Sequence, residues 1–434
     1  MKTGAVMLAS VIALAMPARA AELRSIQVPF EMTLGWNDSA GEIMQSQFES
    51  TPQLELDLSS NSSLVLSTRL RLDAQDQLEP GTPALDSYAA ASRPATVGSA
   101  GTLELRDIYW EKRLSSGLLR LGKQQIVWGR LDGLKVLDVL NPQNFREFIL
   151  DDFADSRISQ WSAYLDFFVG SWRVETALLA DYSAHEIPDS DAWFELTAPR
   201  FRFGAQPGSP VLPSTTESGR DVLEDGAVGL RLSRSIGRID VSALAYSGSD
   251  HEPLGRVIQN DAEVFVEQFY KRRSLFGASA ETSLGSVALR AEAAYQPSRT
   301  FNTRGEEGLQ TIEADQFSAG IAADIDGPMG IFINLQLLWD EINNAPSTLV
   351  RPDRDRVGTV FLRRSFAYDT VKAEARWYHS FDDNDDLYKL TLDYALEDNT
   401  TVFVSGDWFA GRSSGLFGQF AERDRVILGI RHTF

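Results

Sequence analysis

The sequence predicts an all-β membrane protein. The expected fold is a transmembrane antiparallel up-and-down β-barrel of about 18 strands, with 16 as the neighbouring count. Three observations carry this expectation. Apolar and polar residues alternate with a period of two in segment after segment of ~10 residues, the length of a tilted strand that crosses a membrane. After residue 21 no run of ~18 apolar residues is available to cross as a helix. Short and long connections also alternate along most of the chain, as tight periplasmic turns and long outer loops do in such a barrel. A soluble sandwich alternates too, but has no reason for that asymmetry.

The first twenty residues read as a signal peptide. Lys2 gives a positive start, Ala5 to Met16 an apolar stretch too short to span a bilayer, Pro17 a break and Ala18-Arg19-Ala20 a small-residue cleavage pattern. Cleavage is expected after Ala20, with Ala21 the neighbouring site. The division is then 1–20 signal peptide and 21–434 barrel, with no linker inside the barrel. No Cys follows the signal, so a lipid-anchored form is not expected.

Strands are expected near 29–37, 46–59, 63–73, 102–112, 118–128, 158–168, 171–181, 226–235, 238–247, 270–283, 286–296, 315–325, 330–340, 357–366, 370–379, 387–396, 400–409 and 424–434. In the first of these Phe30, Met32, Leu34 and Trp36 alternate with Glu31, Thr33, Gly35 and Asn37. Aromatic residues at strand ends (Trp36, Tyr109, Trp110, Tyr295, Trp339, Trp377, Tyr394 and Trp408) fit interfacial girdles. Long loops are expected near 74–101, 129–157, 183–225, 248–269, 297–314, 341–356, 380–386 and 410–422. The chain ends on Phe434, in phase with Leu428 and Ile430, which resembles the terminal signal that outer-membrane assembly machinery reads.

Composition excludes several functions. With 41 Lys+Arg against 61 Asp+Glu the formal net charge is −20, which disfavours nucleic-acid binding. With no Cys there is no disulfide framework, Cys-ligated metal or thiol nucleophile. No cofactor is expected. Only four histidines exist, His185, His251, His379 and His432. His379, Ser380 and Asp382 are neighbours on a strand, where successive side chains point apart, so an enzyme is not expected.

If the apolar phase faces lipid, the lumen wall carries Arg69, Arg71, Arg106, Arg120, Arg173, Glu175, Arg231, Glu281, Arg290, Glu292, Lys372, Glu374 and Arg376. Such residues pair across strands and stiffen the wall, and opposed charges also line a solute path. Phase is ambiguous in 102–112 and 357–366. Leu179, Leu244, Phe332 and Leu338 fall on the lumen phase and hint at an apolar path. The acid excess lies in loops such as 183–225 and 380–386. Solvated loops are the plain reading, and an acidic mouth favours cations.

Residues 129–157 break the rhythm. Leu134, Leu137 and Leu140 have helical spacing, Asp132 is placed to cap a helix and Asn141-Pro142 to stop it. A second turn from Pro142 sets Phe145, Phe148 and Ile149 on one side. The segment is too apolar for a free loop. It is expected to fold inward, partly helical, as a constriction or plug. Arg130, Asp132, Lys135, Asp138, Arg146, Glu147, Asp151, Asp152, Asp155 and Arg157 would anchor it or line an eyelet. A loop packed on the rim or on a neighbouring subunit is the alternative.

The stretch from Leu105 to Ile158 resembles the signature region of a proteobacterial family of outer-membrane barrels of unknown function. The strand LRLGKQQIVWG, Leu119 to Gly129, and the turn DVLNPQNFREF, Asp138 to Phe148, carry the likeness. Leu119 to Gln124 is also similar to the L-x-L-G-[RK]-Q strand of general porins. The resemblance is specific over about 103–160. It implies a porin-like barrel for passage of hydrophobic compounds, or one that partners an inner-membrane exporter, and carries over no substrate or catalytic residue.

The combined expectation is an outer-membrane channel of a Gram-negative bacterium for passive passage of small or hydrophobic solutes, narrowed by 129–157. Expected partners are outer-membrane lipid and lipopolysaccharide, the assembly machinery through Phe434, and a small-molecule solute. A homotrimer is one assembly it allows. A closed structural, adhesive or receptor barrel is the alternative.

Overall fold

The computed structural model describes residues 21–37, 39–133, 135–206, 214–217, 219–259, 264–306 and 308–434. The expected signal peptide and Leu134 lie outside them. Alternating apolar and polar side chains favour extended backbone, because a pleated strand sends successive side chains to opposite faces. Among the described residues this yields eighteen wall strands. They are β1 (Pro29–Asn37), β2 in two pieces (Glu42–Ser50 and Gln53–Ser59), β3 (Ser62–Asp73), β4 (Gly101–Leu114), β5 (Gly117–Gln124) and β6 (Gln160–Val169). Next come β7 (Trp172–Leu179), β8 (Ala227–Ile236), β9 (Ile239–Ser249), β10 (Arg272–Leu284), β11 (Val287–Gly305) and β12 (Gly308–Asp326). The last are β13 (Phe332–Ile342), β14 (Arg354–Phe366), β15 (Val371–Ser380), β16 (Asp385–Glu397), β17 (Thr400–Ala410) and β18 (Arg425–Thr433).

Each strand pairs antiparallel with its neighbour in sequence. β18 returns to β1, from Pro29↔Thr433 to Trp36↔Val426, so the sheet closes and exposes no edge. Val28 and Phe434 complete the seam with two reciprocal backbone bonds of 3.3 Å. A short strand, Glu22–Gln27, pairs with the second piece of β2. The two ends of the barrel differ. Two-residue turns such as 115–116 and 285–286 mark a turn end, and long connections mark a loop end.

Burial is inverted relative to a water-soluble protein. Met32, Leu34, Leu390, Leu392 and Leu428 are exposed, while Arg69, Arg71, Glu104, Arg106 and Arg425 are buried. This is the arrangement of a wall with lipid outside and a polar interior. No helix among the described residues is long and apolar enough to cross a membrane. On the outer face, Trp339 Nε1 donates to Glu341 (3.0 Å), Trp377 Nε1 to Asp386 (2.7 Å) and Tyr295 OH to Asp315 (2.7 Å). Apolar rings with their polar tips toward the loop end suit a membrane interface.

Four expectations are corrected. Tyr109 lies on the charged face beside Arg120, 5.3 Å from its guanidinium, not in an outer girdle. The register slips between Ser67 and Thr68 opposite β4, and a bulge exchanges the two faces of a strand. That slip is also why 102–112 read ambiguously. The expected loop 297–314 is instead a hairpin, in which β11 and β12 stay paired to Gly305↔Gly308. It is held because Val350 N donates to Asn302 O and Arg304 N to Thr348 O from the connection after β13. β5 ends at Gln124, short of 128, where the chain leaves the wall. No helix forms over 132–141 among the described residues; the segment's one helix is the four-residue Phe153–Ser156.

Candidate functional site

The chain from 125 to 159 runs inside the barrel. Asn141 clasps its two ends: its Oδ1 accepts from Ile126 N (2.8 Å) and its Nδ2 donates to Ile158 O (2.9 Å). A side chain used this way does not stop a helix. Trp128, Leu131, Val136, Leu137 and Leu140 pack with Leu179, Leu244, Tyr246, Leu275 and Leu338 in one buried cluster. So Leu179, Leu244 and Leu338 are not an apolar path. They are the seat of the inward segment. Phe332 sits apart, with its ring near Phe361 and under Arg363. Close approach requires glycine in the wall. A Cβ at Gly277 would lie 2.4 Å from Leu137, one at Gly229 2.5 Å from Trp128, and one at Gly320 2.3 Å from Leu131.

Polar anchors complete the seat on β10 to β13. Glu292 accepts from the backbone N–H groups of Arg130 and Leu137 (3.1 Å for the latter). Arg130 pairs with Glu281 (3.0 Å), and Arg290 with Asp132 and Asp324 (2.8 Å each). Gln336 both donates to Asp132 O and accepts from Asp132 N. Within the segment, Asp138 pairs with Arg157 (2.8 Å) and Lys135 (3.5 Å). Burial lowers the Lys135 ammonium to about 8.

The far end is anchored on β2 to β4, β16 and β18. Arg146 contacts Glu79, Glu147 and Gln47, and Glu147 reaches Arg425 (2.8 Å), which also holds Asp407 (2.8 Å). Asp151 approaches Arg71 (3.9 Å), itself paired with Glu49 (2.6 Å). Arg69, paired with Glu104, donates to Asp155 O, and Arg106 to Ala154 O and the Asp155 carboxylate. These cations meet the last carbonyls of the short helix, where positive charge is favourable. Lys389 donates to Leu150 O (2.7 Å). Burial, with the adjacent Glu147 carboxylate, raises the Asp151 carboxyl above the usual range. β11 and β2 are nine strands apart in a ring of eighteen, so the segment spans the lumen between opposite walls.

The remaining wall residues behave differently. Arg120 pairs with Glu111, Arg173 with Asp166, and Glu175 with Arg231 and the Tyr164 hydroxyl, all wall neighbours rather than parts of the inward segment. Lys372, Glu374 and Arg376 form a ladder with Asp393 on the lumen face. Arg425, Asp407 and Gln47 are missing from the expected site. Arg425 lies in phase with Arg431, so alternation alone was able to point to it.

Cavities lie on both sides of the segment. The turn-end vestibule, about 640 Å³, is polar and is lined by Asp151, Asp152, Asp155, Lys372, Arg376 and Arg431 among others. A neighbouring space of about 390 Å³ shares Asp151 and Asp152 and reaches Ile149. The loop-end cavity, about 340 Å³, also touches Ile149 but is largely apolar. The tip 148–150 therefore stands between them. Phe148 has φ 54°, a costly conformation for an aromatic residue, and its ring packs against Phe420 (4.9 Å) and Phe417 (6.2 Å).

The histidines separate. His379 Nδ1 meets Asp386 (2.9 Å), while Asp382 pairs with Arg356, so His379, Ser380 and Asp382 form no relay. A G-x-S-x-G spacing that hydropathy patterning does not single out, Gly411 to Gly415, lies in the connection after β17, not at a strand-to-helix elbow. His185 and His251 meet edge to face in the loops (5.5 Å), and burial lowers both, His185 to about 4. Burial raises Glu186 to about 8. Among the described residues no three acidic or His side chains meet as a metal site.

The chain is similar to several solved structures. OccAB1 of Acinetobacter baumannii aligns over 95% of this chain and 96% of its own at 9% identity and TM-score 0.51. OpdK of Pseudomonas aeruginosa, solved with vanillate, aligns over 94% and 98% at 10% identity and TM-score 0.49. OmpF of Salmonella typhi, solved with daunomycin, aligns over 94% and 97% at 10% identity and TM-score 0.43. The sequence matches none of the curated proteins. Residues 88–434, from the connection before β4 to the final Phe, match one protein family, and the chain belongs to that family, described as Protein of unknown function (DUF1302).

Proposed function

We propose that this protein is a porin-like outer-membrane channel for passive passage of small or hydrophobic solutes, narrowed by residues 129–157. One observation carries the reading: a closed eighteen-strand barrel has a segment anchored on opposite walls, with a cavity on each side of its tip. A barrel of this strand number is wide enough for an aqueous lumen. In this reading the loop end faces outward and the turn end faces the periplasm. The signal peptide is removed on export to a Gram-negative outer membrane. The channel has no catalytic role.

Single-channel recording in a planar bilayer tests this. Deleting residues 132–150 should raise the unit conductance with the barrel still heat-modifiable. Unchanged conductance from a folded deletion sinks the narrowing. Silence from both proteins favours a closed structural, receptor or exporter-partner barrel. The outer wall would contact lipid and lipopolysaccharide, with a homotrimer read from the mass of the purified barrel. Deleting Phe434, whose backbone closes the seam at Val28, should lower the assembled yield; an unchanged yield removes the assembly signal.

A further inference from the structure

We infer that the loop-end cavity is a binding site for an uncharged hydrophobic molecule with one hydrogen-bond acceptor at one end, an aliphatic alcohol or ketone rather than a fatty acid. This deepens the channel reading and rests on it: the cavity would be the outer waiting site above the constriction.

Shape and lining come first. About 340 Å³ falls in the range of small-molecule sites and holds roughly eleven water-sized groups. Phe145, Phe148, Ile149, Ile187, Leu196 and Phe301 line it, from the inward segment, the loop after β7 and the β11 extension. Such a surface favours hydrocarbon. The His185 and Phe145 rings, edge to face at 5.3 Å, line one side. His185 Nδ1 accepts from Gln143 N (2.9 Å), which uses a neutral imidazole, as does its low pKa.

The charges decide the ligand class. Three arginines and three carboxylates line the cavity. Arg299 is held by Asp250 (2.6 Å) and Glu252 (2.7 Å), and Arg200 by Asp355 (2.7 Å) and Asp383 (2.6 Å). Arg351 differs. Its carboxylate neighbours Glu252, Asp340 and Asp355 lie at 3.4, 3.5 and 3.7 Å, longer than a charge-assisted hydrogen bond. Two of these carboxylates are shared, Glu252 with Arg299 and Asp355 with Arg200, and the N–H groups of Arg351 are drawn tightly to none of the three. A neutral acceptor can take such a donor. The three positive and three negative groups of the lining cancel, so a ligand carboxylate finds no net positive charge to offset the loss of its water.

The test uses the refolded full chain and a 1-alkanol carrying a diazirine, with labelled residues located by mass spectrometry. Labels should fall on 145–149, 187–203 and 350–351, and 1-decanol should compete while decanoate at pH 7.5 does not. Val350→Trp, which fills the cavity, should cut labelling at least about fivefold. Arg351→Met should weaken competition by 1-decanol about tenfold and Arg351→Gln much less, as loss of a buried donor to a charged-group hydrogen bond implies. Labels confined to the lipid-facing wall overturn the site. Competition by decanoate equal to that of 1-decanol overturns the uncharged class, and equal competition by decane overturns the acceptor. Labelling needs no ion flow: a conducting barrel without cavity labels sinks this inference alone, and a labelled barrel that never conducts sinks only the channel.

Discussion

Neighbouring residues His185 and Glu186 hold opposite protonation preferences in one loop. His185 Nδ1 anchors Gln143 of the inward segment, and Glu186 accepts from the Ser87 hydroxyl. The imidazole titrates near 4 when folded and 6.5 when free, so its contribution is full above pH 6.5 and declines as pH falls toward 4. The carboxyl titrates near 8 when folded and 4.5 when free, so its contribution is full below pH 4.5 and declines as pH rises through 8. Each slope is at most about 1.4 kcal/mol per pH unit. The two cancel between pH 4.5 and 6.5, and above 6.5 only the Glu186 loss remains. Glu186→Gln keeps the acceptor and removes the titration. Thermal unfolding of this variant and the parent should diverge steadily from pH 6.5 to 8, with the variant the more stable; parallel curves would refute the assignment.

At the scale of one element, the inward segment shows how a leucine spacing misleads. Leu137 and Leu140 are three apart, as on a helix face, yet Leu137 lands over Gly277 of β10 and Trp128 and Leu140 over Gly229 of β8. The two leucines are satisfied by different wall strands, and the backbone by Glu292 and Gln336, so helical hydrogen bonds are not needed. Gly277→Val places a branched side chain where 2.4 Å is available for a Cβ. The expected result is a folded barrel with a displaced segment and raised unit conductance in planar bilayers. Overpacking of this kind costs about 1–3 kcal/mol, too little to unfold a closed eighteen-strand sheet. A conductance equal to the parent's would show that Leu137 is not what holds the segment across the lumen.

For the whole molecule, charge and closure set behaviour. In the proposed channel, the excess of 61 acidic over 41 basic residues would act as a field at the mouth. A salt gradient should give a reversal potential of cation-selective sign, weakening as ionic strength rises and the Debye length shortens. Anion selectivity would place the governing charges instead at Arg69, Arg71 and Arg106, the buried cations opposite Asp151 and Asp155.

Strand number, the lipid-facing phase and the position of the one irregular segment are legible in the amino-acid sequence. Each is a local consequence of side chains alternating across a pleat, as Phe30 to Asn37 illustrate. The wall charges follow from the same phase, which is why alternation alone identifies Arg69, Arg290 and Glu292. Other features needed the closed sheet. The bulge opposite Ser67 exchanged the faces of β4, because register belongs to a pair of strands and not to one. Arg425 met Glu147, and Glu292 met Leu137 N, across 278 and 155 positions of chain that only closure of the barrel brings together. The route of the inward segment and the two cavities beside it were therefore decided by tertiary structure: they depend on which walls face each other, a relation that periodicity does not contain.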